Sequence, residues 1–281
     1  MLCPVCREPL DPDRLTCEAG HTVPSVSGIV QLVEPGFRAR LQRFLDGFQE
    51  LRESDGRRIH DPAVFPTLPH ANTLRRDPEW RMRGYDLAVV RRLIAGRGPL
   101  TVLDVGAYNG WLSHNLTADG HRVTAVDHFT DELDGLGARR FYPTDWRPIQ
   151  LDLRDLSLLD ERYDLVVLNR CVQFFPDPPA MAAHAVQHVA PGGMLVLTGL
   201  EFFTDPSARL RSLRELDARL ARWGLEPLIP VKGFLDRHDR ARFLDLGVEL
   251  RAYPQLRMRI AALRSVVDRR RGRPCYGVWS A

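Results

Sequence analysis

Three cysteines fall within the first seventeen residues, Cys3, Cys6 and Cys17, and His21 follows four positions later. The pattern is C-x2-C-x10-C-x3-H. The CPVC pair makes a tight knuckle that aims two thiolates at one ion, and CEAGH returns the chain with a thiolate and an imidazole. Four ligands of this softness suit tetrahedral Zn2+. All four positions are taken by protein, so the expected ion is structural, with no open position for chemistry. A stretch this small cannot bury a core of its own, and metal binding would contribute much of its folding free energy.

A second set of chemically suggestive residues begins at Asp104, in LDVGAYNGWLS (Leu103 to Ser113). Gly106 and Gly110 bracket a turn between a strand and a helix, and backbone N–H groups at such a helix start face a ligand. A glycine-rich cofactor loop would place glycine at position 108, where Tyr108 stands. Asn109 tolerates left-handed φ better than most residues and is expected to meet the backbone demand there. Acids then recur at strand ends. Asp127, followed by His128, closes HRVTAVD and suits a bidentate contact to both hydroxyls of a ribose. Asp152 closes PIQLDL, where a carboxylate accepts from an adenine amino group. YDLVVLN ends at Asn169, leaving Asn169 to Val172 to cover the reactive end of a cofactor. PGGMLVLTG then turns into a fifth strand.

These residues need a scaffold, and the hydrophobic patterning supplies one. From Leu100 onward, apolar runs alternate with helical periods, the signature of βαβ units and a parallel sheet. Two closing strands, VELRAYP and CYGVWSA, are expected as an edge pair. Before this core, FRARLQRFLDGFQELRE places Phe37, Leu41, Phe44, Leu45, Phe48 and Leu51 on one helical stripe. EWRMRGYDLAVVRRLIAG reads as a second helix ending near Gly96. The expected organisation is a zinc-ribbon module over 1–35, a helical cover segment over 36–98, and an α/β core over 99–281. A helical insertion is expected at about 201–247.

The ordered series DVGxxxG, the acid after the second strand, D-L after the third and PGGxLV resembles the class I methyltransferases that use S-adenosylmethionine (SAM). The resemblance covers about residues 100 to 200. It implies a doubly wound, mostly parallel seven-stranded sheet binding SAM at the carboxyl ends of its strands. It places Asp104 and Gly106 beside the methionine moiety, Asp127 on the ribose, Asp152 and Leu153 on the adenine, and Asn169 and Arg170 near the sulfonium. Tyr108 departs from the usual glycine, but some members of this class carry an aromatic residue there, whose ring packs beside the cofactor. Tyr108, Asn109, Gly110 and His128 complete the expected binding set. The N-terminal module resembles small zinc ribbons fused to or partnered with some methyltransferases, through CPVC, CEAGH and VPSVSGIVQLV. In rRNA guanine methyltransferases of this appearance the ribbon helps bind RNA.

Two other readings use the same residues. A nicotinamide-binding domain expects G-x-G-x-x-G, whereas the chain reads G-A-Y-N-G-W from Gly106, and PGGMLVLTG also favours the methyltransferase pattern. A non-catalytic scaffold has Tyr108 as its only support. Methyl transfer from a sulfonium rests on alignment, so no signature catalytic residue is required. His128 and His70 are the candidate bases. His70, Trp80, Arg83 and Tyr85 are candidates to face substrate, against ordinary packing as the simpler role. His114 and Cys171 are expected to be structural.

The formal net charge of +3 selects no polyanionic partner. The run Arg269 to Arg273 is locally basic and reads first as a solvated helix end. The balance favours a small-molecule or biosynthetic acceptor over structured RNA. MLCPVCREPL lacks a basic and then apolar leader, no apolar stretch has membrane-span length, and the cysteine usage suits a reducing compartment, so a cytoplasmic location is expected.

Overall fold

In a computed structural model, residues 1–56 and 58–281 are described, and the chain divides into two compact units. The first comprises Met1–Ala71 and Pro99–Tyr163, and the second Asn72–Gly98 and Asp164–Ala281. The class is α/β, as expected. Among the described residues, seven strands follow residue 100, and two short ones precede them.

The first unit has strands β1 (Ser25–Val26), β2 (Ile29–Leu32), β3 (Thr101–Val105), β4 (Arg122–Asp127) and β5 (Arg147–Leu151). Their order is β1-β2-β5-β4-β3. β3, β4, β5 and β2 run parallel, and β1 returns antiparallel on β2. Val102, Leu103 and Val105 are fully buried, as the near-continuous apolar run of a strand covered on both faces requires. Helix α3 (Trp111–Ala118) makes the crossover from β3 to β4. Helix α1 (Pro35–Ser54) buries Phe37, Leu41, Leu45 and Leu51. The other two members of its stripe, Phe44 and Phe48, stack on each other at 5.1 Å and on Phe129 at 6.3 and 5.6 Å. One feature departs from a free-standing ribbon. β2 pairs in register with β5, Leu32 opposite Leu151, so the N-terminal module covers what would be an open sheet edge.

The second unit has helix α2 (Pro78–Ile94), strand β6 (Tyr163–Asn169, all but its first residue), helix α4 (Pro178–Val186), strand β7 (Val189–Phe202), helices α5 (Ser207–Arg222) and α6 (Arg237–Asp245), strand β8 (Glu249–Arg251), helix α7 (Leu256–Val267) and strand β9 (Arg273–Ser280). The strand order is β6-β7-β9-β8, with β9 antiparallel to both neighbours. The expected closing pair is therefore present, with α7 between its strands. The register of β7 on β9 shifts between Leu197 and Leu200, where Gly199 has φ +65°. A Cβ at Gly199 would stand 2.6 Å from Cγ of Arg170, so only glycine fits. Among the described residues, no helix is long and apolar enough to cross a membrane.

Candidate cofactor site and metal cluster

The turn after β3 is held by the strand beside it. Gly106 and Ala107 both donate to the carbonyl of Val126, at 2.9 and 3.1 Å. Gly110 opens α3 at φ +79°, and a Cβ there would meet the Trp146 ring at 2.3 Å. The left-handed residue inside the turn is Tyr108 itself, at φ +55°, and not Asn109. The reason is local bonding. The Tyr108 N–H donates to Asp127 Oδ2 at 2.8 Å, and its hydroxyl donates to Asp134 Oδ1 at 2.6 Å. Asn109 is fully buried, and its Oδ1 accepts from Trp111 N–H at 3.3 Å at the start of α3.

Asp104 is buried, and its Oδ2 accepts from Ser113 Oγ at 2.7 Å. Oδ1 has no partner among the described residues, and neither do Asn109 Nδ2 and His128 Nδ1. Burial, with Asp127 nearby, pushes the Asp104 carboxyl up to about 7. Asp127 is pushed up by burial to about 6, against the opposing pull of backbone N–H groups such as that of Phe129, 2.9 Å from Oδ1. His128 lies in the interior. It is buried, packed against Phe37 at 5.7 Å, and burial depresses it to about 4, so it is a neutral and weak base near pH 7. Asp152 follows β5 with both oxygens engaged by Arg154, at 2.9 and 2.6 Å. Burial raises its pKa, yet these bonds hold it below the usual carboxylate value. Leu153 is buried.

Arg52 on helix α1 and Arg58, four residues past its end, are residues that spacing did not reveal. Arg52 donates to Asp134 at 3.3 Å and to the Tyr108 hydroxyl at 3.3 Å. Arg58 grips both oxygens of Asp131 at 2.7 and 2.8 Å. Beside these pairs, a cleft of about 410 Å³ is lined by Gln42, Leu45, Gln49 and the loop 130–133.

Asn169 and Arg170 belong to the second unit. Asn169 Nδ2 donates to Thr198 Oγ1 at 2.6 Å. Arg170 adopts φ +55°, its N–H donates to the Thr198 carbonyl at 3.2 Å, and its guanidinium lies 3.4 Å from Asp86 Oδ2. Asp86, on α2, is fully buried and accepts the Tyr253 hydroxyl hydrogen bond, while Tyr253 oxygen accepts from Gly199 N–H at 2.8 Å. Burial raises both the Asp86 and the Tyr253 pKa. Neither residue was singled out from sequence. Asp86 had a readable signal, a carboxylate in the buried phase of a helix with Leu87, Val90 and Ile94. Tyr253 had none.

The remaining candidates have packing roles or stand in solvent. His70 is exposed. Trp80 is buried with Arg83 stacked over its ring at 4.7 Å, and Tyr85 packs against the cluster of Val89 and Tyr253. His114 bonds Thr144 at 2.8 Å and the Pro66 carbonyl at 3.3 Å, as a structural histidine does. Cys171 is half-buried.

At the N-terminus, Cys3, Cys6, Cys17 and His21 converge, with one ligand atom from each all within 4.8 Å of one another. Cys6 Sγ lies 3.5 Å from Cys17 Sγ, and Cys17 Sγ lies 3.5 Å from His21 Nδ1. The Val5 N–H points at Cys3 Sγ at 3.4 Å. Metal–sulfur bonds of ~2.3 Å in a tetrahedron give edges of ~3.8 Å, close to these separations.

A family model described as a methyltransferase domain matches residues 74–246. The chain is similar to the cypemycin N-terminal methyltransferase of a Streptomyces species, with 30% identity over 141 residues, covering 49% of this chain and 55% of that protein. It is also similar to the malonyl-[acyl-carrier protein] O-methyltransferase of Xylella fastidiosa strain M23, with 31% identity over 108 residues, 37% of this chain and 36% of that one. The chain thus spans about half the length of the first of these relatives and about a third of the second. Among solved structures, a geranyl diphosphate methyltransferase complexed with GPP and sinefungin aligns with TM-score 0.50 and 13% identity, over 72% of this chain and 78% of that one, which is a likeness of fold. The matched family model covers more than half of the chain, which therefore belongs to the methyltransferase domain family, of the class I, SAM-dependent type.

Proposed function

We propose that the chain transfers a methyl group from SAM to a small molecule or biosynthetic intermediate. The observation that carries this reading is the set of buried polar atoms without partners, Asp104 Oδ1, Asn109 Nδ2 and His128 Nδ1, at the carboxyl ends of β3 and β4. Such atoms fit a ligand with its own donors and acceptors, because leaving them unpaired is costly. When bound, SAM supplies an already activated methyl group on a sulfonium. Asp104 accepts from the cationic amino group of the methionine moiety, Asp127 holds the ribose, and Asp152 with Leu153 borders the adenine. Gly106, Tyr108, Asn109 and Gly110 form the wall of the turn. The chain's contribution is orientation and exclusion of water, with neither His128 nor His70 needed as a base.

A small acceptor is supported by the cleft of about 410 Å³, within the size range of small-molecule sites, and by relatives named for cypemycin and for malonyl-[acyl-carrier protein]. The layout of ribbon (1–35), cover segment (36–98) and SAM-binding core (99–281, insertion 201–247) goes with this reading, as does a cytoplasmic site of action. Cys3, Cys6, Cys17 and His21 hold a structural Zn2+, supported by their convergence. Chelation or Cys17→Ser is expected to release one equivalent of zinc and lower the melting temperature. A metal-free protein with unchanged melting would overturn the zinc assignment.

The test is a labelled-methyl transfer from SAM into a fractionated bacterial extract, with label counted in small-molecule, protein and RNA fractions. Label in the small-molecule fraction is expected. Label confined to RNA would replace this acceptor with structured RNA. Failure to bind SAM or S-adenosylhomocysteine in calorimetry would leave a non-catalytic scaffold. Asp127→Ala is expected to weaken S-adenosylhomocysteine binding about 100-fold, the scale of lost charged hydrogen bonds. An unchanged affinity would remove Asp127 from the ribose.

A further inference from the structure

Helix α7 presents its apolar stripe to solvent. Leu256 and Leu263 are 72% and 70% exposed, Val266 and Val267 70% and 89%, and Ile260 39%. Leu256, Ile260, Leu263 and Val267 follow the spacing i, i+4, i+7, i+11 and lie within about 60° of one another around the helix. The buried residues, Met258 and Ser265, occupy the opposite side. The helix is therefore anchored by its narrow face, and its hydrophobic face is the one left uncovered. A contiguous exposed apolar stripe on a folded protein marks an interaction surface.

The charges around the stripe select the partner. From Leu256 to Arg273 there are seven arginines and one acid. Arg257 and Arg264 flank the stripe on one side and Arg259 on the other, and none of the three makes an ion pair among the described residues. Among the described residues, only Arg270 and Arg271 of the seven are ion-paired, to Asp205 and Asp268. A second copy of the helix is a poor occupant. Read as heptads, Ile260 and Val267 take position a, Leu256 and Leu263 position d, and the arginines the flanking e and g positions, where two copies would oppose like charges. Nucleic acid would use the arginines and leave the apolar stripe wet. Val266 lies on the far side of Arg259, about 60° round the helix from Leu263, so apolar surface continues past the seam one partner helix covers, and the arginine run continues past the helix end.

We propose that α7 and the following arginines form a peripheral docking surface for an anionic phospholipid bilayer. The stripe enters the headgroup–acyl boundary with the helix lying in the plane of the membrane, and the flanking arginines meet lipid phosphates. This role is additional to methyl transfer and independent of it.

The test is flotation of the full-length protein with vesicles of equal parts phosphatidylglycerol and phosphatidylcholine, against phosphatidylcholine alone. The protein is expected to float with the anionic vesicles, at least about tenfold less with neutral ones, and to be released by high salt. The double variant Leu263→Glu/Val267→Glu alters only exposed side chains. It is expected to keep the wild-type circular dichroism and melting temperature and to lose flotation. A fluorescent reporter in Leu263→Trp is expected to shift to the blue with anionic vesicles. Absence of flotation of the wild type at low salt overturns the proposal, as does undiminished flotation of the double variant. So does self-association in sedimentation that the double variant abolishes without any flotation, since the face would then join two copies.

Discussion

Two strand-end turns in this molecule solve the same backbone problem in different ways. After β3, Tyr108 adopts φ +55°, and after β6, Arg170 does the same. Each is a non-glycine residue in a region that L-residues avoid, and each is tied through its side chain to a carboxylate, Asp134 or Asp86. The bonding around them differs. Tyr108 is held through its N–H by the side chain of Asp127, a strand-end acid. Arg170 is held by the backbone carbonyl of Thr198 and sits against Gly199, whose missing side chain makes room for its Cγ. Partner side chains of the first kind leave residue-type signals along the chain, whereas backbone partners leave almost none.

The contrast is open to attack, most severely at Asp86. Asp86→Ala leaves the Tyr253 hydroxyl and the Arg170 guanidinium without their buried partner, and is expected to cost about 3 kcal/mol in chemical denaturation. Asp86→Asn keeps an acceptor for Tyr253 and is expected to cost less than half as much. Equal losses in the two variants would mean that the negative charge on Asp86 matters more than the hydrogen bond it accepts.

A pH series sharpens the comparison in the first unit. Asp104 is raised to about 7 and Asp127 to about 6 from the carboxylate value of 3.8, so the native state binds protons that the unfolded chain has released. Their contribution to stability is present at low pH and is lost as pH rises from about 4 to about 7, with a slope of up to about 1.4 kcal/mol per pH unit per proton. His128, lowered from 6.5 to about 4, acts in the opposite sense, because the unfolded chain takes up its proton first as pH falls. The two effects oppose each other between pH 4 and 6.5. With two raised carboxyls against one lowered histidine, the stability of the wild type is expected to fall with pH over most of that window, whereas Asp104→Asn leaves Asp127 and His128 nearly to cancel and its stability is expected to stay almost flat. Parallel melting curves for the two proteins across the series would contradict the raised Asp104.

The smallest effect is expected at the tyrosine hydroxyl. Tyr108→Phe keeps the ring and the N–H bond to Asp127, and Asp134 retains Arg52 and Arg58, so about 1 kcal/mol is at stake. A loss as large as that of Asp86→Ala would show that the Asp134 network, more than Asp127, holds the turn.

The α/β class, the order of elements from Leu100 onward, the closing strand pair and the convergence of Cys3, Cys6, Cys17 and His21 were legible because each rests on local periodicity or spacing. The choice of left-handed residue in the first turn was not. Intrinsic tolerance favours Asn109, but two hydrogen bonds from Tyr108 outweigh a cost of ~1–2 kcal/mol for that conformation. The placement of His128 in the interior was also hidden, since Phe37, which covers it, lies ninety-one positions earlier.

By itself, then, the sequence determined which stretches become strands, which acids end them and where thiolates can meet, because those properties depend on neighbours along the chain. Tertiary structure alone decided that β2 closes the edge of β5, that Arg52 reaches Tyr108, that Tyr253 shares Asp86 with Arg170, and that the apolar stripe of α7 faces outward. Each of these depends on which distant surfaces are already occupied. An amphipathic helix carries the same periodicity whether its stripe is buried or exposed, and only the packed chain sets which side is covered.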